Sequence, residues 1–162
     1  MGLFPGKGGF IVGIEHLVGA AIALGAGSQF RRRGLGAVLL IGFFAAVGGG
    51  ILRDLLLGLP LWVLDHPLYP LVAILAAYGS WRVPLPPLLA LTLDFAGSLL
   101  FGIWGAERAA RAGWGLETAA LAGLITAMGG GFLGYSLLLA LEKGGESQNG
   151  NGLSRSESGK EG

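Results

Sequence analysis

The chain has 162 residues, of which 52% are hydrophobic and 13% are charged. A soluble domain carries about twice that fraction of charged residues, so the composition predicts an all-α membrane protein with several spanning helices. The net charge of +1 gives no support for a nucleic-acid partner, and the absence of cysteine excludes disulfides, thiolate metal sites and iron–sulfur clusters.

Three helices are predicted in the first half of the chain. Residues 10–27 form an apolar run, and Glu15 and His16 inside it favour a retained helix over a cleaved signal peptide. After three arginines, residues 34–58 form a second segment of about 37 Å, which is long enough to span a bilayer. A proline-rich turn then precedes a shorter third helix at about residues 68–81.

Two further helices and a polar tail are predicted in the second half. The fourth helix, at about residues 88–105, carries Asp94 within its apolar length and is followed by a charged loop at residues 107–111. The fifth helix covers about residues 116–141. Beyond it the composition changes to glycine and polar residues that cannot bury a core, so residues 142–162 are predicted to be disordered. The expected fold is a polytopic bundle of about five membrane helices.

Two glycine triplets relate the halves: Gly48, Gly49 and Gly50 in the second predicted helix, and Gly129, Gly130 and Gly131 in the fifth. They are 81 positions apart, so the membrane domain, residues 1–141, contains an internal repeat. One copy covers about residues 10–81 and a partial second copy covers about residues 84–141. Because an odd number of helices separates equivalent positions, the copies are inverted, and such proteins hold their substrate or ion sites near the midplane.

The triplets have two interpretations. Three adjacent glycines lower helix propensity by roughly 1 kcal/mol each relative to alanine, which predicts a kink beside a polar path. Alternatively, small residues let two membrane helices approach closely, and the triplets then have no role in conduction.

Four charged side chains inside the predicted helices are candidate site residues: Glu15, Arg53, Asp54 and Asp94. Each costs about 2.5 to 3.5 kcal/mol at mid-helix, so each needs a partner, water or a function. Glu15 and Arg53 have similar depth on antiparallel helices, and we predict that they pair. Arg53 and Asp54 are neighbours that point apart on a helix, and the alternative for both is snorkelling to the headgroups.

Asp94 differs from the other acidic candidates because its copy of the repeat has no arginine at the position equivalent to Arg53. Gly134 and Tyr135 occupy the positions equivalent to Arg53 and Asp54. An acid without a basic partner beside a glycine triplet predicts a cation or proton site. The alternative is a protonated carboxyl group that is held by hydrogen bonds.

The distribution of basic residues predicts the orientation. One side of the predicted bundle carries Arg31, Arg32, Arg33, Arg82 and Lys143, and the other carries Lys7, Arg108 and Arg111. By the positive-inside rule the first side is cytoplasmic, which places the N-terminus outside and the polar tail in the cytoplasm.

The most specific stretches of the chain are GGGILRDLLLG, WVLDHPLY and LTLDFAGSLLFGIWGA. Through them the chain resembles, over about residues 10–140, the trimeric intracellular cation channel family, whose prokaryotic members are also described as a glycine-transporter domain. The resemblance implies inverted three-helix repeats plus a final helix, a homotrimer in a prokaryotic inner membrane, and one hourglass pore per protomer. It also implies glycine kinks at the pore on the second and fifth helices. By position, the resemblance assigns to the pore both glycine triplets together with Arg53 and Asp54.

Two features depart from the family pattern. The second copy lacks the Arg-Asp pair, which puts the two-fold symmetry of the pore in doubt. The chain also shows about five predicted helices where the family has seven, which suggests a truncated or divergent member and puts the trimer contacts in doubt.

The sequence therefore predicts a passive channel for monovalent cations, K⁺ or Na⁺, whose partners are the lipid bilayer and further copies of the chain. A carrier for a small solute such as glycine, working by alternating access, is the main alternative. A non-conducting membrane scaffold is another. No cofactor, metal site or enzymatic activity is expected, because the chain has no Ser-His-Asp set, metal-ligand cluster or phosphate-binding loop.

Overall fold

The computed structural model describes the backbone of residues 8–158 and the side chains of residues 13–143. Its α-helices follow the chain as α1 (Gly8–Gln29), α2 (Leu35–Leu57), α3 (Trp62–Asp65), α4 (Leu68–Arg82), α5 (Pro87–Arg111) and α6 (Leu116–Ser158). A short 3-10 helix, Arg31–Arg33, joins α1 to α2. The described backbone contains no strand, and the all-α prediction is confirmed.

Within the described residues, three helical segments are long and apolar enough to cross a membrane: Leu35–Leu57, Pro87–Arg111 and Leu116–Lys143. Helix α4 has 15 residues, about 22 Å of helix, and is therefore shorter than the hydrocarbon core of about 30 Å. The fold is thus a multi-pass membrane bundle. Helix α4, the third predicted helix of the first repeat, is short, as predicted.

Helix α5 is longer than predicted. The charged segment at residues 107–111, expected as a loop, forms the last turns of α5. Arginine favours the helical state and is stabilised by the negative end of the helix dipole, so Arg108 and Arg111 support the C-terminus of this helix. The chain turns only afterwards, at Gly113, where φ is 91°.

Helix α6 continues past Lys143 into the polar segment that was predicted to be disordered, and its backbone is helical to Ser158. Adding a residue to an existing helix costs far less than starting a helix, so a long packed helix can extend beyond its apolar part. Residues 159–162 of the tail lie outside the described residues, as does Lys7.

Close approaches between helices show that α1 and α5 are antiparallel. Gly25, near the end of α1, faces Asp94, near the start of α5. Gly97, one turn further along α5, faces Ile22, which is one turn earlier in α1. The first helices of the two repeats therefore run in opposite directions.

Helices α2 and α6 are antiparallel in the same way and form the most extensive helix pair of the bundle. Gly134 lies beside Ile41, early in α2, whereas Gly129 lies beside Leu52, late in α2. Both equivalent helix pairs are antiparallel, and this is the inverted-repeat arrangement expected from the sequence.

The bundle has two distinct ends. At the arginine end, defined by Arg31–Arg33 and the C-terminus of α4, Arg31 Nη2 donates to the Trp81 carbonyl at 2.9 Å. Arg33 Nη1 forms an ion pair of 3.0 Å with Glu142 of α6. The other end, here called the Asp54 end, contains the C-termini of α2 and α5 and the short helix α3.

Candidate functional site

The inner glycines of the two triplets allow the backbones of α2 and α6 to meet. A Cβ atom added to Gly49 would overlap the Thr126 carbonyl oxygen. A Cβ atom added to Gly130 would lie 2.6 Å from the Ala45 carbonyl oxygen. Real Cβ atoms do not come this close, so only glycine permits this crossing. The close-packing interpretation therefore holds for Gly49 and Gly130.

The last glycine of each triplet faces open space instead, whereas an added Cβ atom at the first, Gly48 or Gly129, would meet its nearest neighbour at 3.2 Å. An added Cβ atom at Gly50 or Gly131 would meet nothing within 4 Å. Both helices are also continuous through their triplets in the secondary structure, and the kink predicted from glycine propensity stays a prediction. Packing against a partner helix compensates for the low propensity of glycine.

Arg53 and Asp54 form a buried ion pair. Arg53 donates to Asp54 Oδ1 from Nε at 2.9 Å and from Nη2 at 2.7 Å. The two residues are only 5% and 1% exposed, so they lie inside the protein and do not snorkel to the headgroups. The prediction that these neighbours would point apart was wrong, because the arginine side chain is long enough to reach the adjacent carboxylate.

Asp54 also accepts hydrogen bonds from two other parts of the chain. Gly58 ends α2 with a left-handed φ of 64°, and the turn that follows brings the Trp62 backbone N–H to Asp54 Oδ2 at 2.9 Å. Arg108 Nε of α5 reaches Asp54 Oδ1 at 3.2 Å, and its Nη2 donates to the Pro60 carbonyl at 2.9 Å. Sequence analysis missed Arg108, which it placed in a loop.

Glu15 does not pair with Arg53, and this prediction was wrong. Among the described side chains, Glu15 has no ion pair, since Arg53 and Arg108 are directed at Asp54 and Arg111 is directed at Glu107. Glu15 lies on α1 next to His16, whose ring packs edge-on against Tyr69 with centroids 5.5 Å apart.

Tyr69 links the first glycine triplet to α1 and α4. Its ring is 1% exposed and packs over Gly19, where an added Cβ atom would overlap the phenol oxygen. The Tyr69 hydroxyl donates to the Ala46 carbonyl of α2 at 3.0 Å. A hydrogen bond of this kind contributes about 0.5 to 1.5 kcal/mol and fixes α2 just before the triplet.

Asp94 lies in a cavity of about 220 Å³ between α1, α2, α5 and α6, towards the arginine end. Gly131, the glycine of the second triplet that faces open space, lines the same cavity. Polar and aromatic residues make up much of the remaining wall, namely Gln29, Phe30, Ser98 and Tyr135. The fold thus joins two of the predicted site features, the acid without an arginine and a glycine triplet.

The Asp94 carboxylate has a neutral partner. Gln29 Nε2 donates to Asp94 Oδ2 at 3.1 Å, whereas none of the ion pairs among the described side chains involves Asp94. No group of three or more metal-ligating side chains occurs in the described part of the chain. Gln29, missed by sequence analysis, is the last residue of α1, where its amide lies just before the arginine turn.

Antiparallel glycine-packed helices, buried charges at one end and an acidic cavity near the other define a multi-pass helical membrane protein of the channel and transporter type. The sequence model of a family described as glycine transporter matches residues 10–82, which are the first repeat. A solved structure, that of the trimeric intracellular cation channel orthologue from Rhodobacter sphaeroides, is 31% identical with a TM-score of 0.65. The match covers 78% of this chain and 70% of that one. The chain belongs to the trimeric intracellular cation channel family.

Proposed function

We propose that the protein is a passive channel for monovalent cations, K⁺ or Na⁺, with a permeation path inside each protomer. The observation that carries this proposal is the Asp94 carboxylate, which lines a cavity beside Gly131 and has no cationic partner among the described residues. A carboxylate in a low-dielectric cavity attracts cations and repels anions, as acidic residues do in cation channels.

The two ends of the proposed path have different roles. The arginine end carries the acidic cavity, where a cation loses part of its water in exchange for carboxylate oxygen. At the other end Arg53 and Arg108 share the single carboxylate of Asp54, so this cluster has an excess positive charge. A cation is therefore held at Asp94 and released past a repulsive cluster, and the two-fold symmetry of the path is broken.

The assembly and orientation belong to the same proposal. The solved relative is described as trimeric, and we propose a homotrimer in a prokaryotic inner membrane with the arginine end in the cytoplasm. The membrane domain of residues 1–141 contains the path, and no enzymatic step is involved.

Planar-bilayer recording of the purified protein tests the channel. Asp94→Asn is expected to lower cation conductance and to reduce the preference for cations over anions, because asparagine keeps the size and removes the charge. Asp65→Asn, the same change at an exposed residue of α3, is the control and should leave the current unchanged. Reversal potentials in a salt gradient that are identical in wild type and Asp94→Asn would contradict the proposal.

A small-solute carrier is the second candidate, and the family description as glycine transporter favours it. Saturable uptake of labelled glycine into liposomes, without single-channel currents, would support the carrier. Currents without saturable uptake would support the channel.

A further inference from the structure

The walls of the Asp94 cavity combine a carboxylate with two aromatic rings. Phe30 of the α1–α2 connection and Tyr135 of α6 both line it, with ring centroids 6.2 Å apart and planes tilted by 54°. These two rings lie next to each other in the cavity wall, and neither was among the predicted site residues. Aromatic faces carry negative electrostatic potential and attract cations that have little bound water.

The charge distribution around the rings favours a cationic ligand. Arg33 already lies over the Phe30 ring, with its guanidinium carbon 6.0 Å from the centroid, and so shows that this ring accepts a cation. Gln29 occupies only the Oδ2 atom of Asp94, which leaves Oδ1 for a further donor. An anion entering the cavity would instead meet the carboxylate directly.

The size of the cavity limits the ligand to a small one. Drug-sized ligands occupy pockets of roughly 300 to 1,000 Å³, and this cavity has about 220 Å³. At about 30 Å³ per water molecule it holds about seven waters. A compact organic cation with a few carbon atoms fits this space, whereas a nucleotide or a lipid headgroup with its chains does not.

We propose that the Asp94 cavity binds small organic ammonium ions of the methylammonium and tetramethylammonium type. Asp94 neutralises the charge, and Tyr135 and Phe30 cover the methyl groups, which lack the water shell that K⁺ or Na⁺ must give up. The inference rests on the proposed function in one respect: the ammonium ion occupies the position that a permeating cation passes, and so it blocks the current.

Binding is measured by calorimetric titration of tetramethylammonium chloride into the purified full chain in nanodiscs. We expect Asp94→Asn to weaken binding by at least about tenfold and Tyr135→Leu to weaken it about three- to thirtyfold. Tyr78→Leu changes an exposed tyrosine of α4 that does not line the cavity, and it should bind like wild type. Thermal unfolding of each variant shows that its fold is retained.

Neutral tert-butanol has nearly the same shape as tetramethylammonium and serves as the matched probe. Equal binding of both probes, or unchanged binding of tetramethylammonium in Asp94→Asn, would overturn the inference. Recording K⁺ current with and without tetramethylammonium separates the two proposals. Binding without any current refutes the channel and leaves the ammonium site intact, whereas current without binding or block refutes the site and leaves the channel intact.

Discussion

At the scale of single residues, Asp54 determines the structure of one end of the protein. Its two oxygens accept hydrogen bonds from α2, from the first residue of α3 and from α5, so one side chain joins three segments. The cost of burying a carboxylate and the Arg53 guanidinium is offset only while these bonds persist. Arg108 is the most accessible member, with 32% of its side chain accessible, and contributes less.

The first prediction concerns this pair. Asp54→Ala should lower the free energy of unfolding by about 3 to 5 kcal/mol, because it leaves the buried Arg53 without its carboxylate. Arg53→Ala should lower it by less, because Asp54 keeps Arg108 and the Trp62 N–H. The double variant should lose less than the sum, with a coupling of about 0.5 to 3 kcal/mol. Denaturant titration in detergent micelles measures all three variants. As the control, Glu15→Gln combined with Arg53→Ala should be additive, and additivity of the Arg53 and Asp54 changes would refute the ion pair.

At the scale of helices, the crossing of α2 and α6 depends on which glycine of each triplet faces the partner helix. Gly49 and Gly130 lie at the contact, where a single methyl group would overlap backbone carbonyls of the partner helix. Gly50 and Gly131 are next to them in the sequence and yet have open space in front. One triplet thus supplies both a packing position and an open position, and only the latter can border a path.

The second prediction uses these neighbours as matched controls. Gly49→Ala should force α2 and α6 apart and cost about 1 to 3 kcal/mol of unfolding free energy, as overpacking does. Gly50→Ala makes the same chemical change one residue away and should be neutral or stabilising by up to about 1 kcal/mol, because alanine is the better helix former. Equal stability of the two variants would show that the helices do not meet at Gly49.

At the scale of the whole molecule, the two repeats share a backbone arrangement but differ in charge. The first repeat places Arg53 and Asp54 after its glycine triplet, whereas the second places Gly134 and Tyr135 there. The Arg53–Asp54 pair lies at one end of the bundle, and Asp94, which is hydrogen-bonded to the neutral Gln29, lies towards the other. This difference in charge makes the two ends of the membrane domain chemically different, whereas the inverted backbone alone would make them equivalent.

The third prediction tests that direction. The chain has no cysteine, so single cysteines can be introduced at Gly36 and Gly115, two exposed glycines where an added Cβ atom meets nothing within 4 Å. In intact cells a membrane-impermeant maleimide should label Gly115→Cys, and it should label Gly36→Cys only after permeabilisation. The reverse pattern would invert the orientation. Labelling of both from the same side would contradict the odd number of crossings between them.

Sequence alone determined the number and order of the long helices, the repeat and its inversion. In lipid every backbone polar group needs an internal partner, so apolar runs of about 20 residues must be helices, and a glycine triplet repeated at a fixed offset is visible without coordinates. Side-chain partners depended on tertiary structure. Asp54 binds Trp62 and Arg108 in addition to Arg53 because a turn and α5 bring these donors to the same carboxylate, and no local rule places them there.

The Asp94 cavity also combines a feature that the sequence predicted with partners that only the tertiary structure decided. The sequence identified Asp94 as an acid without an arginine partner. Gln29 and Tyr135 reach its cavity only because α1 and α6 pack near α5 with one particular rotation about their own axes. The rotation of a helix about its own axis is set by contacts along its whole length, such as that between Gly49 and Thr126. Local sequence carries little information on that rotation, because in lipid both faces of a helix are apolar and only the packed neighbours distinguish them.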